Sequence, residues 1–468
     1  MKKKNKIYDI LLAGSGLSSL TFAEEYTKTN KRIDIISGNL NNKDLTNNYK
    51  FDFNNILPPQ FKNKFIALKK YFYFNKLNFD KKNCNIFGTM EFGGISNYWG
   101  MQVDRNISYD LGNLTKKTQN IIKKNFLSLI ENKKFMGNYL TYKSNYKLDK
   151  SYEEVIDTNK LDKTFLIEKP ILAISNKKKK IMFSDLKEKS ILKLTPHNLK
   201  FKLGKKITIH NYLIEKIEKK GKLINLHCIN DKNKKIFTTK KLVLGCGTLA
   251  TTKLILDFLN IHREIAIKHH PRLVTMYFAK KKLLSNLNFT PGVMQIRHKT
   301  NNYLADLRPS NKWIIDRSIE IFSFLKPLKS FFYKFKNNLI FSNLLLNSSF
   351  SNLYIKKNKE LYYIYSKKTD TLNKLKKSQK RIFDLLKSKN IILPFYKNYF
   401  SGFGSDYHYF GTMPVNSKSA ISINENCQLK KEKSIYIIDG SIFNFKKNFF
   451  PMGIIMANSK RIAKLIKK

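Results

Sequence analysis

The chain opens with an apolar run, Ile7 to Ala13, that stops at Gly14-Ser15-Gly16-Leu17-Ser18-Ser19. Two glycines one residue apart, between a strand-like run and a helix-like run, leave few folds open. The pattern predicts a buried parallel strand at Ile7–Ala13, a helix from about Leu17 to Tyr26, and a second strand over Arg32 to Ile36. This is a β-α-β unit. Gly14 and Gly16 would let the backbone approach a pyrophosphate closely. The helix opening at Leu17 and Ser18 would aim N–H groups and its positive end at the phosphates. Two positions depart from the usual dinucleotide pattern. Ser19 stands where a third glycine is expected, and Ile36-Ser37-Gly38 stands where an acidic residue would hold a ribose hydroxyl. Asp34 lies inside the strand and reads as structural, so ribose binding falls to Ser37 or to backbone.

With 468 residues the chain can form two domains or one large core. Lys and Arg total 89 against 34 Asp and Glu, a net charge of +55. Such a field draws a protein toward anionic surfaces. A composition saturated with Lys, Asn and Ile is the favoured account of it, because the lysines are spread along the chain, as at Lys177–Lys180 and Lys446-Lys447. No zinc-finger spacing or other nucleic-acid module appears, so no specific nucleic-acid partner is expected. Cys84, Cys228, Cys246 and Cys427 form no CxxC pair, which argues against a disulfide scaffold or a metal site and suits a reducing cytoplasm. Lys2-Lys3-Lys4 precedes an apolar stretch, but Asp9 and the two glycines cut it too short for a signal segment. No apolar run is long enough to span a bilayer, and the charge-free stretch Asn337 to Ile355 is too rich in Asn and Ser.

Further along, Pro58-Pro59 marks a connection. Ile207 to Ile217 and Leu223 to Ile229 read as two strands joined across Lys219–Lys222, and Lys241–Gly247 as a strand ending in glycines before a helix from about Leu249 to Leu259. From Ile321 to Phe335 apolar residues recur at helical spacing with lysines between them, interrupted by Pro327. Two readings stay open for 321–336: a helix packed on the core, or peripheral contact with the inner face of a membrane. Leu372 to Leu386 predicts another amphipathic helix.

Two more signals carry chemistry. Phe92-Gly93-Gly94-Ile95-Ser96-Asn97-Tyr98-Trp99-Gly100 makes a loop able to lie against a planar ring. Near the end, His408-Tyr-Phe-Gly411-Thr412 precedes a strand running into Asp439-Gly440, and Pro451-Met452-Gly453 opens a terminal helix. Asp439 could offer a carboxylate to a ribityl hydroxyl. The terminal helix could aim its positive end at a flavin oxygen.

In their order these motifs resemble the glucose-methanol-choline (GMC) oxidoreductases, most closely the sugar-directed and polysaccharide-associated members. The short His269-His270-Pro271 segment is similar to one in that family. Residues 101–200 and 275–400 carry no recognisable match. The resemblance implies an α/β fold: a Rossmann-like FAD-binding domain assembled from 1–110, 200–270 and 400–468, and an α+β substrate domain with an antiparallel sheet from 111–199 and 271–399. It implies FAD held by Gly14, Gly16, Leu17, Ser18, Ser37, Gly93, Gly94, Ser96, Asn97, Trp99, Leu213, Gly247, Asp439, Gly440, Pro451 and Met452. Tyr98 stands where some relatives carry a flavin-linked His, so the FAD is expected to be non-covalent. The implied reaction takes a hydride from the CH–OH group of a sugar or other alcohol, with His408 as base and an electron acceptor that the sequence does not identify. An imidazole suits proton transfer near neutral pH. One position misfits. Phe450 stands where relatives place a His or Asn, and Asn448, two residues earlier, could substitute only if the backbone shifts. The alternative is a homologue that binds FAD but has lost alcohol oxidation, acting as a basic membrane- or polyanion-associated protein.

Overall fold

The structure, a computed structural model, describes residues 6–38, 73–104, 111, 113–131, 146–147, 164–176, 181–182, 191–230, 233–280, 292–300, 302–310, 315–316, 319, 323–417, 419 and 421–467. Pro58-Pro59, Lys177–Lys180 and Ile321 lie outside the described residues.

The opening unit forms where the sequence predicts it: strand Ile7–Ala13, helix Leu17–Tyr26, strand Ile33–Ile36. Leu11, Leu12 and Ala13 are fully buried, as expected of a parallel strand covered on both faces. Every residue of the helix is buried, so it needs no apolar stripe. Its two acids are paired, Glu24 with Lys202 at 2.8 Å and Glu25 with Lys28 at 2.6 Å. It packs on the terminal helix Met452–Lys467.

Five parallel strands lie in the order 207–210, 33–36, 7–13, 234–244, 432–437. Their carboxyl ends are level: His210 pairs with Ile36, Ile36 with Ala13, Ala13 with Leu244, and Leu244 with Ile437. A row of strand ends at a point where the strand order reverses is where open α/β sheets bind ligands.

The expected single strand over 207–217 is corrected to two. Tyr212 N–H donates to the His210 carbonyl at 3.0 Å, which ends the extended run. Ile207–His210 then joins the parallel sheet, while Leu213–Lys220 pairs antiparallel with Leu223–Ile229. Leu223–Ile229 pairs in turn with the first half of Lys234–Leu244.

A second sheet has six antiparallel strands in the order 392–399, 272–279, 339–346, 303–309, 294–298, 165–168. Arg272 is level with Leu345 and Leu304, and Val274 with Asn343 and Asp306. Side chains alternate along a strand, so Arg272, Leu345, Asn343, Asp306 and Arg308 share one face. Helix Thr371–Ser388, as anticipated, packs on this sheet through Leu375, Ile382 and Leu386.

The segment anticipated as one amphipathic helix over 321–335 is corrected to short pieces. A 3₁₀ stretch Ser323–Leu328 contains Pro327, followed by helix Lys329–Lys334 and a 3₁₀ turn Lys336–Asn338. Proline removes a backbone donor and crowds the preceding turn, so the helical register does not run through. Among the described residues, no helix is long and apolar enough to cross a membrane.

Candidate active site

A cavity of about 370 Å³ opens over the level strand ends. Residues within three positions beyond each of the five ends reach it: Tyr212 and Leu213, Ser37, Gly14, Gly245 to Gly247, and Asp439 with Gly440. Gly16, Ser18, Gly93, Gly94, Ser96, Trp99, Pro451, Met452 and His408 line it too. Leu17, Asn97 and Asn448 do not. Leu17 donates its backbone N–H to Ser96 Oγ at 3.2 Å, and Asn97 Nδ2 donates to the Phe92 carbonyl at 2.7 Å, so both brace the cavity wall.

The N-terminal turn is locked by contacts the sequence does not display. Gly14 has φ +97°, and a Cβ there would lie 2.3 Å from the Gly245 carbonyl oxygen. Ser19 is tolerated in the third position because its partner across the sheet is small. Its Oγ donates to the Gly245 carbonyl at 3.2 Å, and a Cβ on Gly245 would fall 2.2 Å from that Oγ. The close approach usually made by a third glycine is therefore made by Gly245. Ser15 joins the motifs together: its Oγ accepts from Gly93 N–H at 2.9 Å and from Ser37 Oγ at 2.8 Å. Asp34 is structural, as its sequence position suggested, with its carboxylate 2.7 Å from His210 Nε2.

A dinucleotide fits this lining. Helix Leu17–Tyr26 begins at Gly16 with no side-chain cap and no acid in its first turn, so its positive end faces the cavity uncompensated. The space that a Cβ on Gly94 or Gly247 would enter is open for 4 Å, which leaves bare backbone against the cavity.

The geometry corrects the part expected of Asp439. Its Oδ2 accepts from Gly247 N–H at 3.0 Å and Thr251 Oγ1 at 2.5 Å, and its Oδ1 accepts from Ser441 N–H at 3.0 Å and Ser441 Oγ at 2.5 Å. Four protein donors fill the lone-pair sites of a carboxylate. Asp439 thus ties the turn after Leu244 to the turn after Ile437, rather than standing ready for a ribityl hydroxyl. Burial pushes its carboxyl up, against those hydrogen bonds.

At the other end stands His408. Tyr407 before it has φ +65°, a strained value for a bulky residue, and this turns the imidazole into the cavity. The His408 backbone N–H donates to Asp406 Oδ2 at 3.3 Å, which also accepts from His270 N–H at 3.0 Å. Asp406 Oδ1 faces His269 Nδ1 at 2.9 Å, both side chains being fully buried. His408 Nδ1 has no hydrogen-bond partner among the described residues. Burial, with Arg272 and Arg308 adding to it against Asp406, brings the imidazole down to about 4, so the ring is neutral and can accept a proton at pH 7. Asp406 itself is pushed up by burial, but His269, His408 and His270 together outweigh that and hold it below the usual carboxylate range.

Sequence reasoning missed Asp406, Arg272, Asp306, Arg308 and Gln102, although all line the cavity. Arg308 Nε donates to Asp306 Oδ2 at 2.6 Å and its NH2 to Gln102 Oε1 at 3.1 Å, while Gln102 Nε2 also donates to Asp306. The alternation Asp306-Leu307-Arg308 marks a strand with one polar face, but nothing local says that this face looks at His408. Phe450 is buried and lines the cavity edge-on to His408, with ring centroids 6.3 Å apart. Asn448 is not brought there as a substitute. Its Oδ1 accepts from Phe450 N–H at 3.0 Å, and its carbonyl lies 2.9 Å from His270 Nε2.

No family model matches the chain, and no curated protein matches it. Among solved structures it is similar to the crystal structure of pyridoxine 4-oxidase from Mesorbium loti, with a TM-score of 0.59. The likeness covers 98% of this chain and 99% of that one, at 11% identity. The chain therefore shares the overall fold of that oxidase along nearly its whole length, with the cavity at the carboxyl ends of its parallel strands.

Proposed function

We propose that this protein is an FAD-dependent oxidoreductase of the GMC type that oxidises a CH–OH group to a carbonyl. The observation that carries the reading is one cavity lined both by a bare glycine cradle and by the neutral imidazole of His408. In this reading Gly14, Gly16 and the first turn of helix Leu17–Tyr26 hold the pyrophosphate, and Ser37 holds the adenosine ribose. Gly93, Gly94, Ser96, Trp99, Gly440, Pro451 and Met452 surround the ring system, and Asp439 ties the turn at Gly440 to the turn at Gly247. FAD is non-covalent in this reading, because Tyr98 stands where some relatives carry a flavin-linked His, and its hydroxyl donates to Glu91 at 2.9 Å. FAD, when bound, supplies the acceptor for the hydride that leaves the substrate carbon.

The chain's own residues manage the proton. The substrate hydroxyl donates to His408, which takes its proton as the C–H bond breaks. Asp406 holds the His408 backbone, and the strained Tyr407 fixes its direction. Phe450 keeps water from the same spot and contributes no hydrogen bond. Missing a second polar group beside the reacting oxygen typically costs on the order of 10²–10³ in rate. We therefore expect a slow enzyme or a narrow substrate range. The sugar-directed branch is favoured only by the Gly-Gly-x-Ser-Asn-x-Trp-Gly form of residues 93–100.

The test is direct. Purified protein should be yellow, or should take up added FAD, and anaerobic alcohols should bleach it. A colourless protein that binds no FAD refutes the reading. His408→Ala should retain FAD and lose bleaching by at least 10²-fold.

One surface supports a second property, peripheral attachment to anionic lipid. Leu328, Phe331 and Phe335 are exposed, beside exposed Lys326, Lys329, Lys334 and Lys336. Apolar side chains framed by lysines suit a negatively charged bilayer surface. Vesicles containing phosphatidylserine should then sediment the protein at low salt and release it as salt rises. Equal sedimentation with neutral vesicles would count against it.

A further inference from the structure

Arg272 stands out among the charged groups of the cavity. Four acids line the cavity, and each is held. Tyr98 donates to Glu91, Arg308 and Gln102 bond Asp306, His269 faces Asp406, and Asp439 has four donors. Of the two lining arginines, Arg308 has Asp306 as its carboxylate. Arg272 has no carboxylate partner among the described residues. Its guanidinium lies 5.4 Å over the Tyr407 ring and reaches Ser401 Oγ at 3.4 Å, while its Nε is buried with no hydrogen-bond partner.

Arg272 is half-buried in the cavity wall, and a guanidinium partly withdrawn from water is stabilised by an anion. Position says where that anion would come from. Arg272 sits on the polar face of the antiparallel sheet, with Asp306 and Arg308 two strands away on the same face. Tyr407, under its guanidinium, is the residue before His408. The pyrophosphate cradle at Gly14 and Gly16 belongs to the parallel sheet instead. Arginine offers a planar fork matched to carboxylate and phosphate oxygens.

We infer that the substrate is an anionic alcohol, bearing a carboxylate or phosphate that Arg272 binds while its hydroxyl carbon faces His408. The hydroxyl end rests on the FAD-oxidoreductase reading above. The anion end does not. Tyr407 links the two, because it carries the Arg272 guanidinium on its ring and sets the direction of the next side chain. Arg308 adds positive potential, but its fork is already engaged by Asp306 and Gln102.

The experiment has a binding arm and a turnover arm, both at constant ionic strength near 0.15 M so that the general surface charge is screened. By calorimetry, inorganic phosphate and malonate are titrated into wild type, Arg272→Gln and Arg272→Lys. Besides any anion held at the glycine cradle, which Arg272→Gln leaves unchanged, one saturable site is expected to weaken roughly 10- to 100-fold in Arg272→Gln, the range for one hydrogen-bonded charged group. Arg272→Lys should fall between, because it keeps the charge and loses the fork. Phosphate or malonate binding tighter than the other identifies the anion. In the turnover arm, flavin bleaching is compared for glycerol, glycerate and glycerol 3-phosphate. An anionic member should be favoured in wild type, with the preference lost through KM in Arg272→Gln.

The inference is overturned if both anions bind wild type and Arg272→Gln alike, or if Arg272→Gln slows neutral and anionic alcohols equally. It is also overturned if the substitution changes only FAD affinity, which would make the cofactor the partner of Arg272. Arg272-dependent anion binding to a protein that never binds FAD would uphold the anion end alone and sink the enzymatic reading together with the hydroxyl end that rests on it.

Discussion

Asp406→Asn probes the buried support beneath His408. In the wild type, Oδ1 faces His269 Nδ1 at 2.9 Å, and Oδ2 accepts the backbone N–H groups of His270 and His408 at 3.0 and 3.3 Å. An asparagine keeps one oxygen. Turning its NH₂ toward the two backbone donors would orphan both, at about 1–3 kcal/mol each. The oxygen therefore stays with the backbone, and the NH₂ faces His269, whose Nδ1 can accept once its proton moves to Nε2. Nε2–H then meets Asn352 Oδ1, 3.3 Å away. All three bonds survive in neutral form. Each loses about 1 kcal/mol, the difference between a charged and a neutral hydrogen bond, and the relief of no longer burying a carboxylate offsets part of the total. The expected net loss is about 1–3 kcal/mol at pH 7, read as a lower urea midpoint with unchanged slope. The gap should also depend on pH. Asp406 is held below its ordinary 3.8, so its contribution is complete above that value and is lost as pH falls through the folded value. The two urea curves should converge at low pH, and flavin bleaching should fall less than in His408→Ala. A variant as stable as wild type at pH 7, or a gap constant down to pH 3, would refute the reasoning.

Phe450→His should raise anaerobic flavin reduction by an alcohol substrate, up to the 10²–10³ range of one positioned polar partner, at a cost of about 1–3 kcal/mol from the buried cluster of Leu304, Leu345 and Phe449. A drop in rate with intact FAD would show that Phe450 shapes the substrate site instead. Burial brings His270 down to about 3 and His408 to about 4, so both rings fold neutral while the unfolded chain takes up protons below about 6.5. Stability should therefore fall as pH drops from 6.5 toward 4, by roughly 1.4 kcal/mol per pH unit for each ring. His408→Gln should remove about half of that steepness, and an unchanged slope in urea titrations would contradict the assignment. Gly14→Ala places a Cβ 2.3 Å from the Gly245 carbonyl at φ +97°. It should abolish FAD uptake measured by absorbance, and a yellow Gly14→Ala protein would argue against the cradle.

Local chemistry made much of this protein legible from its sequence. Ile7–Ala13, Gly14, Gly16 and the helix after them depend on neighbours in the chain: a short apolar run, a glycine turn, a helix start. The same holds for the glycine-rich loop at 93–100, the strand into Asp439 and the terminal helix. Their order along the chain was enough to expect an α/β fold with FAD, and the described residues form a mixed α/β structure with the fold of an oxidase. What stayed hidden depends on partners far apart in the chain. Ser19 looks like a defect until Gly245 is found opposite it, and Asp439 looks like a cofactor ligand until four donors surround it. The helical spacing over 321–335 did not survive Pro327, and the run over 207–217 broke at Tyr212. Asn448 seemed able to replace a missing partner because two residues of extended chain point the same way, but its side chain caps Phe450 N–H instead. Arg272, Asp306 and Arg308 come from a stretch without motifs, and only the pairing of three antiparallel strands puts them on one face above His408. Burial and pairing set the charge state of such groups. The sequence by itself therefore determined the glycine turns and His408 of the cavity, and the tertiary structure alone decided its polar sheet face, because pairing between distant strands brings Arg272, Asp306 and Arg308 together.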